Sequence, residues 1–133
     1  MDAESAHDRT ISALVQAQNH AVGRSLLRRI AGPFPQIPVE FCGLKFPNCL
    51  GVAAGFDKEV RATEGLALLG FGHIEVGTIT PQRQAGNDKP RVFRLLQDEA
   101  LINRMGFPSA GKSAARERLK TLAATDREYV IGV

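Results

Sequence analysis

Three short apolar runs decide most of what this chain can fold into: Leu50-Gly51-Val52-Ala53-Ala54, His73-Ile74-Glu75-Val76-Gly77-Thr78 and Tyr129-Val130-Ile131-Gly132-Val133. Each has the length of one strand, and the first and last are nearly continuous, as strands covered on both faces are. A helical stretch, Val60 to Leu69, lies between the first two and closes at Gly70, a suitable C-terminal cap. A second, Gly111 to Ala124, precedes the third run and is expected to turn Ala114, Leu119 and Leu122 to the core. Strand, helix, strand, helix, strand calls for crossovers, and crossovers pair strands in parallel. The class is α/β.

Residues 8 to 30 read as helix, because Ile11, Leu14, Val15, Val22, Leu26 and Ile30 recur at spacings of three, four and seven along one face. Gly23 is the expected break between two helices, and Gly32-Pro33 ends the second. Pro33, Pro35 and Pro38 make an extended linker. Val39 to Cys42 and Lys45-Phe46 flank Gly43-Leu44 as a small hairpin. Arg91 to Leu96 and Ala100 to Arg104 read as another.

The 133 residues suffice for one domain with a modest core, and 44% hydrophobic with 23% charged residues is ordinary globular composition. A net charge of +3 without Trp and with one Tyr argues against nucleic acid, because the basic residues are not interleaved with stacking aromatics. No apolar run approaches the roughly twenty residues of a membrane span. The N-terminus lacks the order of a secretory signal. A soluble or peripheral protein is expected. Cys42 and Cys49 have neither CxxC spacing nor histidine neighbours, which excludes a zinc cluster. They are expected to be free, mostly buried thiols in a reducing compartment.

Two strings carry polar groups at a strand end beside glycine. Lys58 follows Ala54-Gly55-Phe56-Asp57, after the first strand. A P-loop needs lysine directly after its second glycine and then Ser or Thr, whereas here Phe56 and Asp57 intervene and Glu59 follows. Taken alone, Lys58 reads as a surface charge and Thr78 as a β-former. Asn103-Arg104-Met105-Gly106-Phe107 combines a side-chain amide with a glycine. The amide has both donor and acceptor and suits the alternating edge of a pyrimidine, although Asn-x-x-Gly alone is a common turn.

In order and spacing these strings resemble the dihydroorotate dehydrogenase family, specifically its quinone-linked, membrane-associated class. The likeness takes in Glu4-Ser5-Ala6-His7, Arg28-Arg29-Ile30, Glu75 to Pro81, Gly86-Asn87-Asp88-Lys89-Pro90-Arg91 and Phe93-Arg94-Leu95. It implies a (β/α)8 TIM barrel, normally about 250 residues or more. On that reading residues 1–32 are an N-terminal helical arm on the quinone and membrane side. Residues 33–133 are then an incomplete barrel with about three of eight strands, preceded by the hairpin.

The resemblance further implies FMN as cofactor, held by Ala54, Gly55, Phe56, Asp57, Lys58 and Thr78. Dihydroorotate or orotate is expected on Lys58, Asn103, Arg104, Met105, Gly106 and Phe107, and the quinone head group at His7 and Arg94. The family's base, a Ser, is expected beyond Val133, so no catalytic residue is assigned, and no metal is expected. Six residues precede His7, where family members carry a further helix. The implied activity is oxidation of dihydroorotate to orotate with quinone as acceptor, in pyrimidine synthesis. The implied setting is a monomer, when full length, in peripheral contact with the cytoplasmic side of the membrane. The alternative is a truncated remnant with no activity of its own.

Overall fold

The computed structural model describes residues 2–33 and 37–133; Pro35 of the expected linker lies outside them. Helix α1 (Ala3–Gln18) starts five residues earlier than periodicity predicts, because the Asp2 carboxylate caps it by accepting the Ser5 N–H at 2.9 Å. It ends at Asn19, and α2 (Ala21–Ala31) starts at once, so the break falls at Asn19-His20 and not at Gly23. Gly23 serves the elbow differently. A Cβ there would lie 2.4 Å from the Ala17 carbonyl oxygen, so only glycine lets the two helices approach this closely.

The elbow divides the expected apolar stripe. Ile11 and Leu14 are buried and Val15 packs against them, but Val22 (83%), Leu26 (55%) and Ile30 (67%) are exposed. Leu27 is the α2 residue that enters the core. The bend rotates the α2 face, which a continuous helical count cannot anticipate.

Strands β1 (Val39–Phe41) and β2 (Leu44–Phe46) form the first hairpin. Its turn is Cys42-Gly43 rather than Gly43-Leu44, with φ of 50° and 76°, the left-handed pair of a two-residue turn. Cys42 and Cys49 are both exposed, contrary to expectation, since one sits on that turn and the other in the loop beyond. The parallel sheet has the order β3 (Gly51–Val52), β4 (His73–Glu75), β7 (Val130–Gly132). Gly51 pairs with His73 and His73 with Val130. The first two strands are shorter than their apolar runs because each of those runs leaves the sheet at its carboxyl end to form a loop. Leu50 is 47% exposed and Ala53 and Ala54 are exposed too, so the first run is not buried as expected.

Between β3 and β4, α3 covers Thr63–Leu68 only. Val60, with φ of 56°, breaks the earlier turn, and Gly70, with φ of 97°, stops the chain where expected. The second hairpin, β5 (Val92–Leu95) with β6 (Ala100–Asn103), follows β4. Helix α4 (Lys112–Ala123) leads to β7. It buries Ala115 rather than Ala114, with Leu119 and Leu122 beside it. The core joins Ile11 and Leu14 of α1, Leu27, Leu66 of α3, Ile74 and Val76, so the helices cover one face of the sheet. The other face carries Gly51, His73, Glu75 and Gly132.

Candidate ligand site at the carboxyl ends of the parallel strands

Loops leaving β3 and β4 and the segment after β6 converge on one hollow of about 290 Å³. Gly55, Lys58, Thr78, Asn103, Met105, Gly106 and Phe107 line it, together with Gly77 and Pro108. The first two loops are tied together by backbone: the Gly55 N–H donates to the Gly77 carbonyl at 3.0 Å. Gly55 has φ of 100°, and a Cβ built on it would meet nothing within 4 Å, so it would project into open space. A flat group can therefore lie directly against this main chain.

Lys58 is half-buried, and its ammonium donates to the Gly55 carbonyl. Burial pulls its pKa below the usual 10.5, opposed most strongly by the Glu4 charge and then by Asp8. Asn103 is exposed, and its Oδ1 accepts the Met105 N–H at 3.4 Å, which leaves its amide NH₂ for a ligand. Phe107 is 65% exposed at the rim. Gln84 holds the loop from behind, donating to the Phe107 carbonyl at 2.8 Å and the Gly106 carbonyl at 3.2 Å.

Four expected residues stand outside this lining: Ala54, Phe56, Asp57 and Arg104. Ala54 is exposed just before the hollow. The Asp57 carboxylate is 1% exposed and points into the protein, so it offers nothing to a cofactor. Its Oδ1 accepts from Arg61 N–H at 2.7 Å, and its Oδ2 from Ala62 N–H at 2.9 Å and the Thr63 hydroxyl at 2.8 Å. It fixes the turn that leads from Lys58 into α3. Phe56 turns towards α1, its ring edge-on to His7 at 5.3 Å. Arg104 turns back to donate to the Pro90 carbonyl at 3.0 Å.

His7 has both ring nitrogens occupied. Nε2 lies 2.6 Å from the Phe56 carbonyl, which can only accept, so Nε2 carries a proton. Nδ1 faces Asp8 at 3.4 Å. A second hollow, about 220 Å³, lies beneath the first turn of α1 and is lined by His7, Glu4, Lys58, Val92, Leu101 and Asn103, among others. Arg94 pairs with Leu101 in the hairpin and so lies on the same face as these strand residues, though it is not in the lining.

The most heavily bonded group here was not expected from the sequence. Glu4 and Arg91 are both buried, and Arg91 reaches Glu4 through Nη2 at 2.6 Å and Nε at 3.2 Å. Lys89 adds a contact to Glu4 at 3.2 Å. The Arg91 guanidinium holds the Glu4 carboxyl below its ordinary value against the opposing effect of burial. Glu59 was missed as well: it accepts the Ala110 N–H at 2.8 Å and receives Arg118 of α4. Both strings containing Glu4 and Arg91 were visible, but nothing local joins residues so far apart. Among the described residues no group of three His, Cys, Asp or Glu could hold a metal ion.

A family model described as dihydroorotate dehydrogenase matches residues 36–133. The chain belongs to the dihydroorotate dehydrogenase family. It is 47% identical over its whole length to a dihydroorotate dehydrogenase (quinone) of Clavibacter michiganensis subsp. michiganensis. It is 50% identical over 99% of its length to one from Leifsonia xyli subsp. xyli. It spans 38% of the length of each of these relatives. A crystal structure of a dihydroorotate dehydrogenase from Eimeria tenella, in complex with ferulenol, superposes with a TM-score of 0.76 at 38% identity. That superposition covers 99% of this chain and 35% of the other. The three parallel strands with their crossover helices are thus a portion of the family's barrel.

Proposed function

We propose that these residues form part of a quinone-dependent dihydroorotate dehydrogenase that oxidises dihydroorotate to orotate through FMN, in the pyrimidine route to UMP. The observation that carries this is the shared hollow: the Lys58 ammonium and the Asn103 amide face one space floored by the bare backbone of Gly55. The residues present fit a flavin, because a side chain at Gly55 would fill the space that its ring needs. The Gly55 backbone and Lys58 would hold FMN, which would supply the two-electron redox chemistry between dihydroorotate and quinone.

The chain's own residues bind and orient. Lys58 places a positive charge where a substrate carboxylate and a reduced ring both carry negative charge. Asn103 reads the pyrimidine edge, and Phe107 covers it. Ser109 does not serve as the base, because it is buried and its Oγ is held by the Thr80 and Gly111 N–H groups at 3.3 and 3.1 Å.

The division into an arm, residues 1–32, and a barrel portion, residues 33–133, is part of the same proposal. So is peripheral contact with the cytoplasmic face of the membrane through α2. Supporting it, α2 exposes Val22, Leu26 and Ile30 beside Arg28 and Arg29, a pairing that suits anionic lipid. No described helix is long and apolar enough to cross a membrane.

A second reading concerns the 133 residues taken by themselves. Strands β3 and β7 each have one partner in the described sheet, so two edges are open, and Leu50 and Val133 are exposed beside them. On this reading these residues alone do not turn over dihydroorotate. The test is to mix the purified chain with excess FMN, desalt it, and record the flavin spectrum before and after dihydroorotate and then quinone. Stoichiometric flavin bleached by dihydroorotate supports catalysis by these residues alone. Retained flavin that dihydroorotate never bleaches, in a protein including the rest of the barrel, would refute the dehydrogenase reading.

A further inference from the structure

Arg91 lies at the centre of a bonded path from the first turn of α1 to the loop that faces the ligand. Its Nε and Nη2 meet Glu4, while Nη1 donates to the Ala85 carbonyl at 2.8 Å and the Asn87 carbonyl at 2.9 Å. Asn87 in turn donates from its main chain to the Met105 carbonyl at 2.9 Å and from its side chain to the Arg104 carbonyl at 2.7 Å. The two segments touch backbone to backbone. A Cβ on Gly86 would lie 2.3 Å from the Met105 carbonyl oxygen and 2.9 Å from Arg91 Nη1. A Cβ on Gly106 would lie 2.8 Å from the Asn87 side chain.

We propose that Glu4 is a positioning residue, whose buried pair with Arg91 ties the docking of α1 to the shape of the Asn103–Phe107 loop. The ligand named in the test rests on the dehydrogenase reading; the linkage itself rests on these contacts. The physical reason lies in the guanidinium. A planar fork with five donors can serve a carboxylate on one edge and two carbonyls on another, which an ammonium cannot. A buried Arg91 without the Glu4 charge is uncompensated and must turn towards water. Turning releases Ala85 and Asn87, and with them the support under Arg104 and Met105.

Glu4 also acts on Lys58 through space. The titratable and charged groups around Lys58 are Glu4, Asp8 and His7 from α1, Lys89 and Arg91 from the segment before β5, and Glu59 and Arg61 beside it. Glu4 is the strongest of those that favour the protonated amine. Removing its charge moves the Lys58 pKa further down, so loss of binding to an anionic ligand begins at lower pH.

The test uses the FMN-loaded, full-length protein with orotate as probe and compares wild type with Glu4→Gln, which keeps shape and loses charge. Amide exchange of Asn87 and of residues 103–107 is expected to quicken roughly ten- to a hundredfold, the worth of a charged hydrogen bond, while α3 and α4 hold. Orotate binding is expected to weaken, with its alkaline limb at lower pH. Arg91→Lys, used if Glu4→Gln does not fold, keeps the charge but cannot span both carbonyls, so it too should quicken the loop. Unchanged exchange at 103–107, or equal quickening in every element, overturns the linkage. Failure of wild type to bind orotate overturns the dehydrogenase reading instead, and the exchange comparison still decides the linkage.

Discussion

Replacing Asp57 by Ala should cost more stability than any other single change in the loop that presents Lys58. The carboxylate receives three hydrogen bonds, and two of the donors cannot turn to water: Ala62 is 0% and Thr63 1% exposed. A buried donor left without a partner costs about 1–3 kcal/mol. The Arg61 N–H is only part-buried and can be rehydrated cheaply. Two stranded donors, with some relief from rotation of the Thr63 hydroxyl, give about 2–4 kcal/mol. That is a large share of the roughly 5–15 kcal/mol that holds a domain together. Asp57→Asn retains one oxygen, which can still serve Ala62 and Thr63 while its NH₂ faces the Arg61 N–H, so about 1–2 kcal/mol is expected. Urea unfolding followed by far-ultraviolet circular dichroism measures both, and amide exchange at Ala62 localises the effect. An Asp57→Ala protein within about 0.5 kcal/mol of wild type would refute the role given to Asp57 in holding the turn before α3.

Lys58→Ala in the complete enzyme should slow flavin reduction by dihydroorotate about 10²–10³-fold with the fold intact; stopped-flow rates near wild type would remove Lys58 from the site. His7→Ala and Arg94→Ala should raise the KM for quinone and leave reduction by dihydroorotate unchanged, and equal damage to both half-reactions would show the quinone placement to be wrong. The Glu4 carboxyl is held below its ordinary value of 4.5, so its contribution is complete above that pH and is lost as pH falls through the lowered value. Urea midpoints taken between about pH 6 and about pH 3 should therefore fall less steeply in Glu4→Gln than in wild type. Leu26→Glu should weaken co-sedimentation with anionic vesicles without altering the circular dichroism spectrum; unchanged co-sedimentation would exclude α2 as the lipid contact.

Local information in the chain was enough for the sequence of elements. Apolar runs of strand length separated by helical stretches already require parallel pairing, and β3, β4 and β7 adopt it. The caps at Gly32 and Gly70 and the two hairpins were legible for the same reason: turn chemistry is written in adjacent residues. Lys58, Thr78 and the Asn103–Phe107 loop were legible as strings, and the fold carries Lys58, Thr78, Asn103, Met105, Gly106 and Phe107 to one hollow. What depends on which surfaces meet was not legible. The elbow at Asn19-His20 turned half of one apolar stripe outwards, and Asp57, expected at the ligand, turned inwards because three donors of its own loop converge on it. Glu4 and Arg91 found each other across most of the chain, because each solves the other's burial; that pairing is a property of two distant segments brought into contact, and no spacing records it.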